Sequence, residues 1–337
     1  MDRIKGLREY VKMPAYREAL GLPKTVQEEY TLLAQGEYNI NYLFTHPVSG
    51  RKLLLRVNCG SQMHLSDQIG YEYHALRLLE GSKRTPRAYY VDGSLEMSDH
   101  GILVMEFLPG RSLDYHTDLA CAAGCLADIH SVQLPDPSGL VAPASPLRAI
   151  LEECEEMVKV YMQSSLGRDG TKRKLRGLLD AGWEKIQGVD LGDTYKCCVN
   201  TELNSTNFLV DDKGGPSHLI DWEKPICGDP AQDLGHFLAP TTTFWKTDVI
   251  LTRAQMEDFL DTYIQMAAGR FDTGGLKERV YMYIPITCLR GVTWCAMAWV
   301  QYQQPGRLIC NPSTSEKLSA YLSDAFLDGI SGISMQT

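Results

Sequence analysis

An abrupt change of pattern near residue 108 constrains the fold more than any other feature of this sequence. Before it, short β-prone runs (EYTLLAQ, YNINYLF and RKLLLRV) alternate with turns that contain Gly and Pro, as hairpins require. A helical segment is expected over residues 69–79, and two further strands over 87–92 and 101–107. The order β-β-β-α-β-β predicts a small, mostly antiparallel sheet with one helix.

The chain after this point is mostly helical. Leu108-Pro109-Gly110 breaks the strand pattern as a hinge would. Strand and loop return around 195–221, and residues 3–20 are expected to form a peripheral helical start. The other expected helices cover 117–130, 150–162, 172–186, 231–238, 253–268, 276–301 (with a break near Pro285) and 315–326. We therefore predict an α+β chain with two lobes, a sheet lobe over 1–108 and a helical lobe over 109–337.

Composition argues against several classes of function. The 337 residues include 33 Lys and Arg against 42 Asp and Glu, a net charge of -9, without a basic cluster, so a nucleic-acid surface is not expected. No apolar run reaches the ~18 residues of a membrane span, and the charged start MDRIKGLREYVKM lacks the apolar core of a signal peptide. The ten cysteines are scattered without a C-x-x-C pair, which predicts reduced thiols in a cytoplasmic protein and no zinc site.

Two pieces of sequence place polar groups where chemistry can occur. The octapeptide NTELNSTN, residues 200–207, lies between apolar, β-prone runs, and a second apolar run ends at Asp221. The turn DDKGG makes 207–221 a hairpin, so Asn207 and Asp221 are expected to lie together at its open end. An amide and a carboxylate supply the hard oxygen ligands that Mg²⁺ prefers. Since a further carboxylate such as Glu202 can orient a hydroxyl and take its proton, the set predicts phosphoryl transfer.

A third piece, GDPAQDL over residues 228–234, opens a helix with Asp229 at the N-cap and Pro230 in the first helical position. Together the three pieces resemble the aminoglycoside phosphotransferase and choline kinase family of protein-kinase-like enzymes. That family reads H-x-D-x-x-x-x-N in the loop, I-D-W/F-E after the next strand, and then G-D-P-x-x-D-L. The chain matches at Asn207, IDWE and GDPxxDL, but Asn200 replaces the His and Glu202 replaces the Asp.

The resemblance implies a bilobal protein-kinase-like fold with a nucleotide, ATP or GTP, bound with Mg²⁺ between the lobes. The turn QGEYN, with Gly36 and Asn39, resembles the nucleotide loop of the family. MEFLPG, with Glu106 and Leu108, resembles the linker whose backbone pairs with adenine.

The same resemblance places a phosphate-pairing cation on the third strand. Arg56 occupies this place, and we prefer it to Lys52, which abuts a turn. Glu72 is the expected partner of that cation on the helix, with Glu80 as the alternative.

The acids also have structural interpretations. Glu202 taken alone would be a solvated loop acid, and Asp221 taken alone would end a strand. Their spacing favours the implied roles instead, with Glu202 as the base and Asn207 and Asp221 as metal ligands. Asp233 is expected to tie the loop to its helix. The aromatic residues of the late helices are expected in the core rather than in a cation-binding cage: Tyr281, Tyr283, Trp294, Trp299 and Tyr302.

Glu202 decides between two functions. Glutamate keeps the charge of the usual aspartate but carries it about 1.5 Å further, one C–C bond. A misplacement of about 1 Å can cost ~10²-fold, and a general base contributes roughly 10²–10⁴-fold, so activity is reduced rather than abolished. We predict an ATP-dependent phosphotransferase that acts on a hydroxyl of an aminoglycoside-, choline- or sugar-like small molecule. An acidic protein surface tolerates a cationic substrate of this kind. The alternative is a nucleotide-binding pseudokinase with a regulatory or scaffolding role, because two loop residues are replaced.

Overall fold

Five antiparallel strands near the start of the chain form the larger sheet of the computed structural model, which describes residues 1, 4–36, 38–61, 63–304 and 312–336. The strand order is β1-β2-β3-β5-β4, so the last two strands are swapped relative to the sequence. The strands are β1 (Thr31–Gln35), β2 (Asn39–Thr45), β3 (Lys52–Asn58), β4 (Ala88–Asp92) and β5 (Gly101–Glu106).

Two short helices, α1 (Leu7–Tyr10) and α2 (Pro14–Leu20), lie against this sheet. The ring of Tyr16 packs edge-on against Tyr90 of β4, with 5.3 Å between ring centroids. The Tyr10 hydroxyl donates to Asp92 at 2.6 Å. A single peripheral helix was expected over 3–20, but the residue before Pro14 takes an extended backbone, which divides the segment. Both helices contribute to the core of the sheet.

Helix α3 (Gln68–Leu79) covers the opposite face of the sheet. Alternate residues of β5 point to opposite faces. Ile102 and Val104 pack with α1 and α2, whereas Leu103 and Met105 pack with α3. Strand β5 is thus buried on both faces, and α3 joins the sheet to the larger core formed by the rest of the described chain.

Nine helices and five short strands make up the rest of the described chain. The helices are α4 (Leu119–His130), α5 (Pro146–Gln163), α6 (Asp169–Lys185), α7 (Pro230–Leu238), α8 (Pro240–Lys246), α9 (Arg253–Ala267), α10 (Leu276–Tyr302), α11 (Pro312–Tyr321) and α12 (Asp324–Gln336). The strands are β6 (Arg111–Ser112), β7 (Cys197–Val199), β8 (Phe208–Val210), β9 (His218–Leu219) and β10 (Ile226–Gly228). They form two small antiparallel sheets, β10-β7 and β6-β8-β9.

Two helix expectations were wrong. Helix α10 continues through Pro285 without a break; this residue is buried, and α10 packs against α5 and α7. The helix expected over 315–326 is two helices, since Ser323 Oγ accepts the Phe326 amide at 3.3 Å and starts α12 anew. Within the described part of the chain, no helix combines the length and apolar character needed to cross a membrane.

The segment that follows β5 approaches β8 closely. A Cβ atom on Gly110 would lie 2.9 Å from the Leu209 Cβ atom, so only glycine fits without movement. The segment then pairs with β8 through β6. The lobe boundary at residue 108 stays a prediction.

Candidate active site

The hairpin after residue 200 brings Asn207 and Asp221 to one end of a small sheet. A 3-10 turn, Ser205–Asn207, leads into β8, and β8 pairs with β9. One step beyond the pairing, the Ile220 amide donates to the Asn207 carbonyl oxygen at 2.9 Å. Asp221 then turns away with φ 68°, a left-handed conformation that is uncommon outside glycine.

The side chains at this end present oxygen atoms. Asn207 Nδ2 donates to the Glu202 carbonyl oxygen at 2.8 Å, and the Asn207 Oδ1 atom, on the other side of the amide, accepts from no donor among the described residues. The Asp221 carboxylate keeps 32% of its surface exposed. These two oxygen donors fit the chemistry of Mg²⁺. The described residues contain no group of three or more His, Cys, Asp or Glu side chains placed to hold a metal ion.

Arg56 on β3 draws three carboxylates together. Its Nη1 atom lies 2.5 Å from Glu72 Oε1 on α3, 3.3 Å from Asp221 Oδ1 and 3.8 Å from Glu223 Oε1. Burial disfavours the charge of Arg56, but the three carboxylates outweigh it and raise the pKa of the guanidinium. Because three acids face one cation, the site has room for further positive charge.

Glu223, to which the motif analysis gave no role, is part of this group. Burial, and then the negative charge of Asp221, raise the pKa of Glu223 to about 9. Its carboxylate accepts from Asn39 Nδ2, and its backbone carbonyl accepts from Gln68 Nε2 at 2.6 Å. Glu223 therefore ties the sheet and α3 to the segment after Asp221. The signal that could have identified it is its place as the last residue of IDWE.

The alternatives to Arg56 and Glu72 lie outside this group. Lys52 is exposed at the start of β3. Glu80 forms ion pairs with two exposed arginines, both at 3.0 Å. The structure thus brings Arg56 and Glu72 together with Asp221, and leaves Lys52 and Glu80 apart.

The proposed nucleotide loop is a tight turn. The Gly36 amide donates to the Asn39 carbonyl oxygen at 2.8 Å, while Glu37 lies outside the described residues. Asn39 is 3% exposed, and its Oδ1 accepts from Asn58 Nδ2 at 3.0 Å. The Asn39 side chain is therefore bound within the protein, to Asn58 and Glu223.

The proposed linker lies further along the sheet. In the register of β3 and β5, Arg56 faces Leu103, and Glu106 follows three residues later, about 10 Å along the strand. Leu108 comes two residues after Glu106 and is partly exposed. The structure places these two residues at the end of β5, apart from the Arg56 group.

Asp233 holds the start of the loop. This residue of α7 is 0% exposed. Its Oδ2 accepts the Asn200 amide at 2.7 Å, and its Oδ1 accepts the Thr201 amide at 2.8 Å. His130 Nε2 lies 3.2 Å from the same Oδ2. Two consecutive amides converge on one carboxylate because Thr201 has a left-handed φ of 68°. The loop is thus tied to α7, as the sequence led us to expect.

Asn200, which stands where the family has histidine, braces the loop from inside. Its Nδ2 donates to the Asp221 carbonyl oxygen at 2.9 Å, and its Oδ1 accepts the Glu202 amide at 3.0 Å. One buried side chain therefore connects the backbone of Glu202 to that of Asp221.

The Glu202 carboxylate faces the C-terminal helices. Its Oε1 lies 3.4 Å from Arg290 Nη2 on α10, 88 residues away in sequence. Arg290 Nε donates to Glu153 Oε2 on α5 at 3.0 Å, and Lys224 Nζ donates to Glu153 Oε1 at 2.7 Å. Burial opposes ionisation of Glu153, but Arg290 and Lys224 outweigh it and lower its pKa to about 2. Sequence reasoning missed these three partners, because none belongs to the loop motif.

His236 completes the support of the loop. Its Nδ1 accepts the Leu203 amide at 3.2 Å. Burial, and then the charge of Arg290, lower the pKa of His236 to about 3. The ring is therefore neutral near pH 7 and keeps a lone pair for the amide.

The late aromatic residues lie in or against the core. Tyr281 and Tyr283 are 9% and 0% exposed. Trp294 packs edge-on against Trp245 at 5.4 Å between centroids, and Trp299 packs against Tyr161 at 5.9 Å. Tyr302 packs on the same core. These rings therefore pack as core residues, and the Tyr283 hydroxyl is buried without a hydrogen-bond partner among the described residues.

A model of the phosphotransferase enzyme family, APH, matches residues 29–278. A provisionally assigned aminoglycoside phosphotransferase from Ralstonia eutropha JMP134 has a similar structure, with a TM-score of 0.68, 15% identity and 98% of each chain covered. Plasmodium vivax ethanolamine kinase has a TM-score of 0.65 at 14% identity, over 95% of this chain and 88% of that chain. Spectinomycin phosphotransferase in complex with ADP and spectinomycin has a TM-score of 0.65 at 12% identity, over 99% of each chain. A comparison with curated proteins finds no match. The predicted bilobal, kinase-like α+β fold is confirmed.

Proposed function

Because this chain belongs to the phosphotransferase enzyme family, we propose that it transfers the γ-phosphoryl group of ATP to a hydroxyl of a small molecule. The family membership confirms the predicted family and the prediction of an enzyme. The observation that carries the proposal is the position of Asn207 and Asp221 at the open end of one hairpin. Asn207 donates to the Glu202 carbonyl oxygen, and the Asn200 side chain links the backbones of Asp221 and Glu202. This arrangement supplies oxygen ligands next to a carboxylate, as phosphoryl transfer requires.

The donor side of the site lies against the sheet. Arg56 would pair with phosphate oxygens while Glu72 holds it in place. Asn207 Oδ1 and the Asp221 carboxylate would hold Mg²⁺, which neutralises phosphate charge when it is bound. The carboxylates of Glu72 and Asp221 outnumber the single charge of Arg56, which favours such a cation.

The nucleotide itself would lie between the turn at Gly36 and Asn39 and the linker. There, the backbone of Glu106 and Leu108 would pair with adenine, as the resemblance implies. The ADP complex of spectinomycin phosphotransferase, a protein of the same fold, supports the use of a nucleotide.

Glu202 would accept the proton of the acceptor hydroxyl. The acceptor oxygen bonds to the γ-phosphorus as the bond from phosphorus to the β–γ bridging oxygen breaks, and ADP leaves with that electron pair. The longer side chain does not swing freely, because Arg290 contacts its Oε1 and Asn200 braces its amide. A fixed carboxylate limits the loss expected from the extra methylene, which is about 10²-fold for a 1 Å displacement.

The test is ADP release from ATP and Mg²⁺ with a panel of sugars, hydroxy acids, amino alcohols and aminoglycosides. We expect release that depends on one acceptor. Glu202→Gln should lower kcat roughly 10²–10⁴-fold with little change in the KM for ATP, since it removes the base and not the donor site. Glu156→Gln, an exposed residue of α5, is the matched control.

Two outcomes would contradict parts of this assignment. If turnover were indifferent to Glu202→Gln, the role of Glu202 as base would be wrong. Tight binding of Mg²⁺-ATP without transfer to any acceptor would favour the pseudokinase.

A further inference from the structure

Three distant parts of the chain meet beside Glu202. Arg290 comes from α10, Glu153 from α5, and Lys224 from the segment that follows Asp221. The two cations keep 18% and 16% of their side-chain surface exposed. They lie on the helical side of Glu202, whereas Arg56 lies on the sheet side of the hairpin and contacts Asp221.

Some hydrogen-bonding atoms of Arg290, Glu153, Lys224 and Glu202 have partners within the group, and others have none in the described chain. Both oxygens of Glu153 accept from the cations, and Glu202 Oε1 accepts from Arg290 Nη2. Among the described residues, the Nη1 group of Arg290 and two of the three N–H groups of Lys224 have no partner. Arg290 Nη1 is not among the buried unpartnered atoms of the described chain, and the Lys224 side chain keeps 16% of its surface exposed, so a ligand can reach part of each cation. The unused acceptor of the group is Glu202 Oε2. The vacant positions therefore match a ligand with one hydroxyl donor and several acceptor oxygens.

We propose that Arg290 and Lys224 form a subsite for an anionic group of the acceptor, a carboxylate or a phosphate, beside the hydroxyl that Glu202 Oε2 deprotonates. The proposal rests on the proposed function, because it takes Glu202 as the base. The unpartnered Nη1 group of Arg290 can donate to an oxygen of this group, while Lys224 adds a second charge. The substrate class is a hydroxy acid or a phosphorylated alcohol.

The same geometry disfavours a cationic acceptor. An ammonium group beside Glu202 would approach two like charges. The two carboxylates that could attract it are already engaged, since Glu153 accepts from Arg290 and Lys224 and Glu202 accepts from Arg290. A choline-like or aminoglycoside-like acceptor would have to displace one of these ion pairs.

The experiment measures binding by isothermal titration calorimetry, with protein saturated by Mg²⁺ and a non-hydrolysable ATP analogue and also without nucleotide. The probes are glycerate, glycerol 3-phosphate, glycerol and choline, which share a hydroxyl and differ in charge. We expect at least about tenfold tighter binding of glycerate or glycerol 3-phosphate than of the other two, since charge-assisted hydrogen bonds are the strong ones. The preference between the two anions separates carboxylate from phosphate.

Substitutions of Lys224 test whether the anion binds at the proposed subsite. Lys224→Met should weaken anion binding by about tenfold or more, and Lys224→Arg should keep most of it because the charge remains. Lys159→Met, which removes an exposed, ion-paired lysine of α5, should change nothing.

The proposal is overturned if all four probes bind alike, if choline binds most tightly, if Lys224→Met has no effect, or if no probe binds. None of these results touches the proposed function. That function fails separately, if Mg²⁺-nucleotide does not bind or if no acceptor releases ADP.

Discussion

The loop that carries Glu202 depends on one buried carboxylate, and removing it is the most direct test of how the fold positions the site. Asp233→Ala takes away the acceptor for the Asn200 and Thr201 amides, which are bound at 2.7 and 2.8 Å. Asp233 and Asn200 are both 0% exposed, so water does not reach these amides unless the loop moves. The variant should therefore weaken the fold and loosen the loop together.

The magnitude follows from two unsatisfied donors. Each buried donor without a partner costs about 1–3 kcal/mol, so Asp233→Ala should lower the free energy of unfolding by about 2–6 kcal/mol. This is a large share of the roughly 5–15 kcal/mol that stabilises a typical domain. Asp233→Asn keeps one acceptor oxygen for one amide, so its expected cost is about 1–3 kcal/mol.

Two assays separate the local effect from the global one. Urea unfolding gives the change in stability, and hydrogen exchange of peptides covering 197–207 reports the loop amides. Exchange there should accelerate more than in α10. Asp248→Asn, in a carboxylate that is 88% exposed, is the control and should change neither. Unchanged exchange at Asn200 and Thr201 in Asp233→Ala would refute the reasoning.

Three further predictions concern neighbouring groups. Arg56→Met leaves Glu72 buried without its ion pair and should cost about 3–5 kcal/mol in urea unfolding; a cost below ~1 kcal/mol would show that Glu72 relaxes to solvent. His236, with a pKa of about 3 against an ordinary value near 6.5, binds a proton more readily in the unfolded chain, so stability should fall by about 1.4 kcal/mol per pH unit between pH 6.5 and 3 through this group. His236→Asn keeps an acceptor and should lack that part of the slope, and equal slopes would contradict the assignment. If Arg290 positions Glu202, Arg290→Met should lower kcat in the wild type and have little further effect in Glu202→Asp, whereas additive losses would exclude coupling.

Part of the site could be predicted from the sequence because the residues that form it are close together in the chain. A hairpin turn between two apolar runs is enough to predict that Asn207 and Asp221 approach each other, since strand pairing follows from the turn. Asp233 lies four residues after the N-cap Asp229, in the first turn of α7, and there its carboxylate accepts the two loop amides. The elements that were missed, β6, β10 and α8, are two, three and seven residues long, too short to show a periodic pattern.

The continuous helix through Pro285 is a case in which the local sequence preference gave the wrong prediction. Proline removes a backbone donor and usually ends or kinks a helix, which is why a break was expected. Helix α10 packs against α5 and α7, and these contacts cannot be inferred from the residues next to Pro285 in the sequence.

By itself, the sequence determined the division into a sheet and a helical region, the family, and the pairing of Asn207 with Asp221, because each is encoded by residues close together in the chain. Only the tertiary structure decided what surrounds Glu202. Arg290 lies 88 residues from Glu202, and Asn39 lies 184 residues from Glu223. A periodic pattern shows which face of a helix is buried, but it does not show which distant helix packs against that face. The charges beside the proposed base, and with them the proposed class of acceptor, therefore depend on how α5 and α10 pack around the loop.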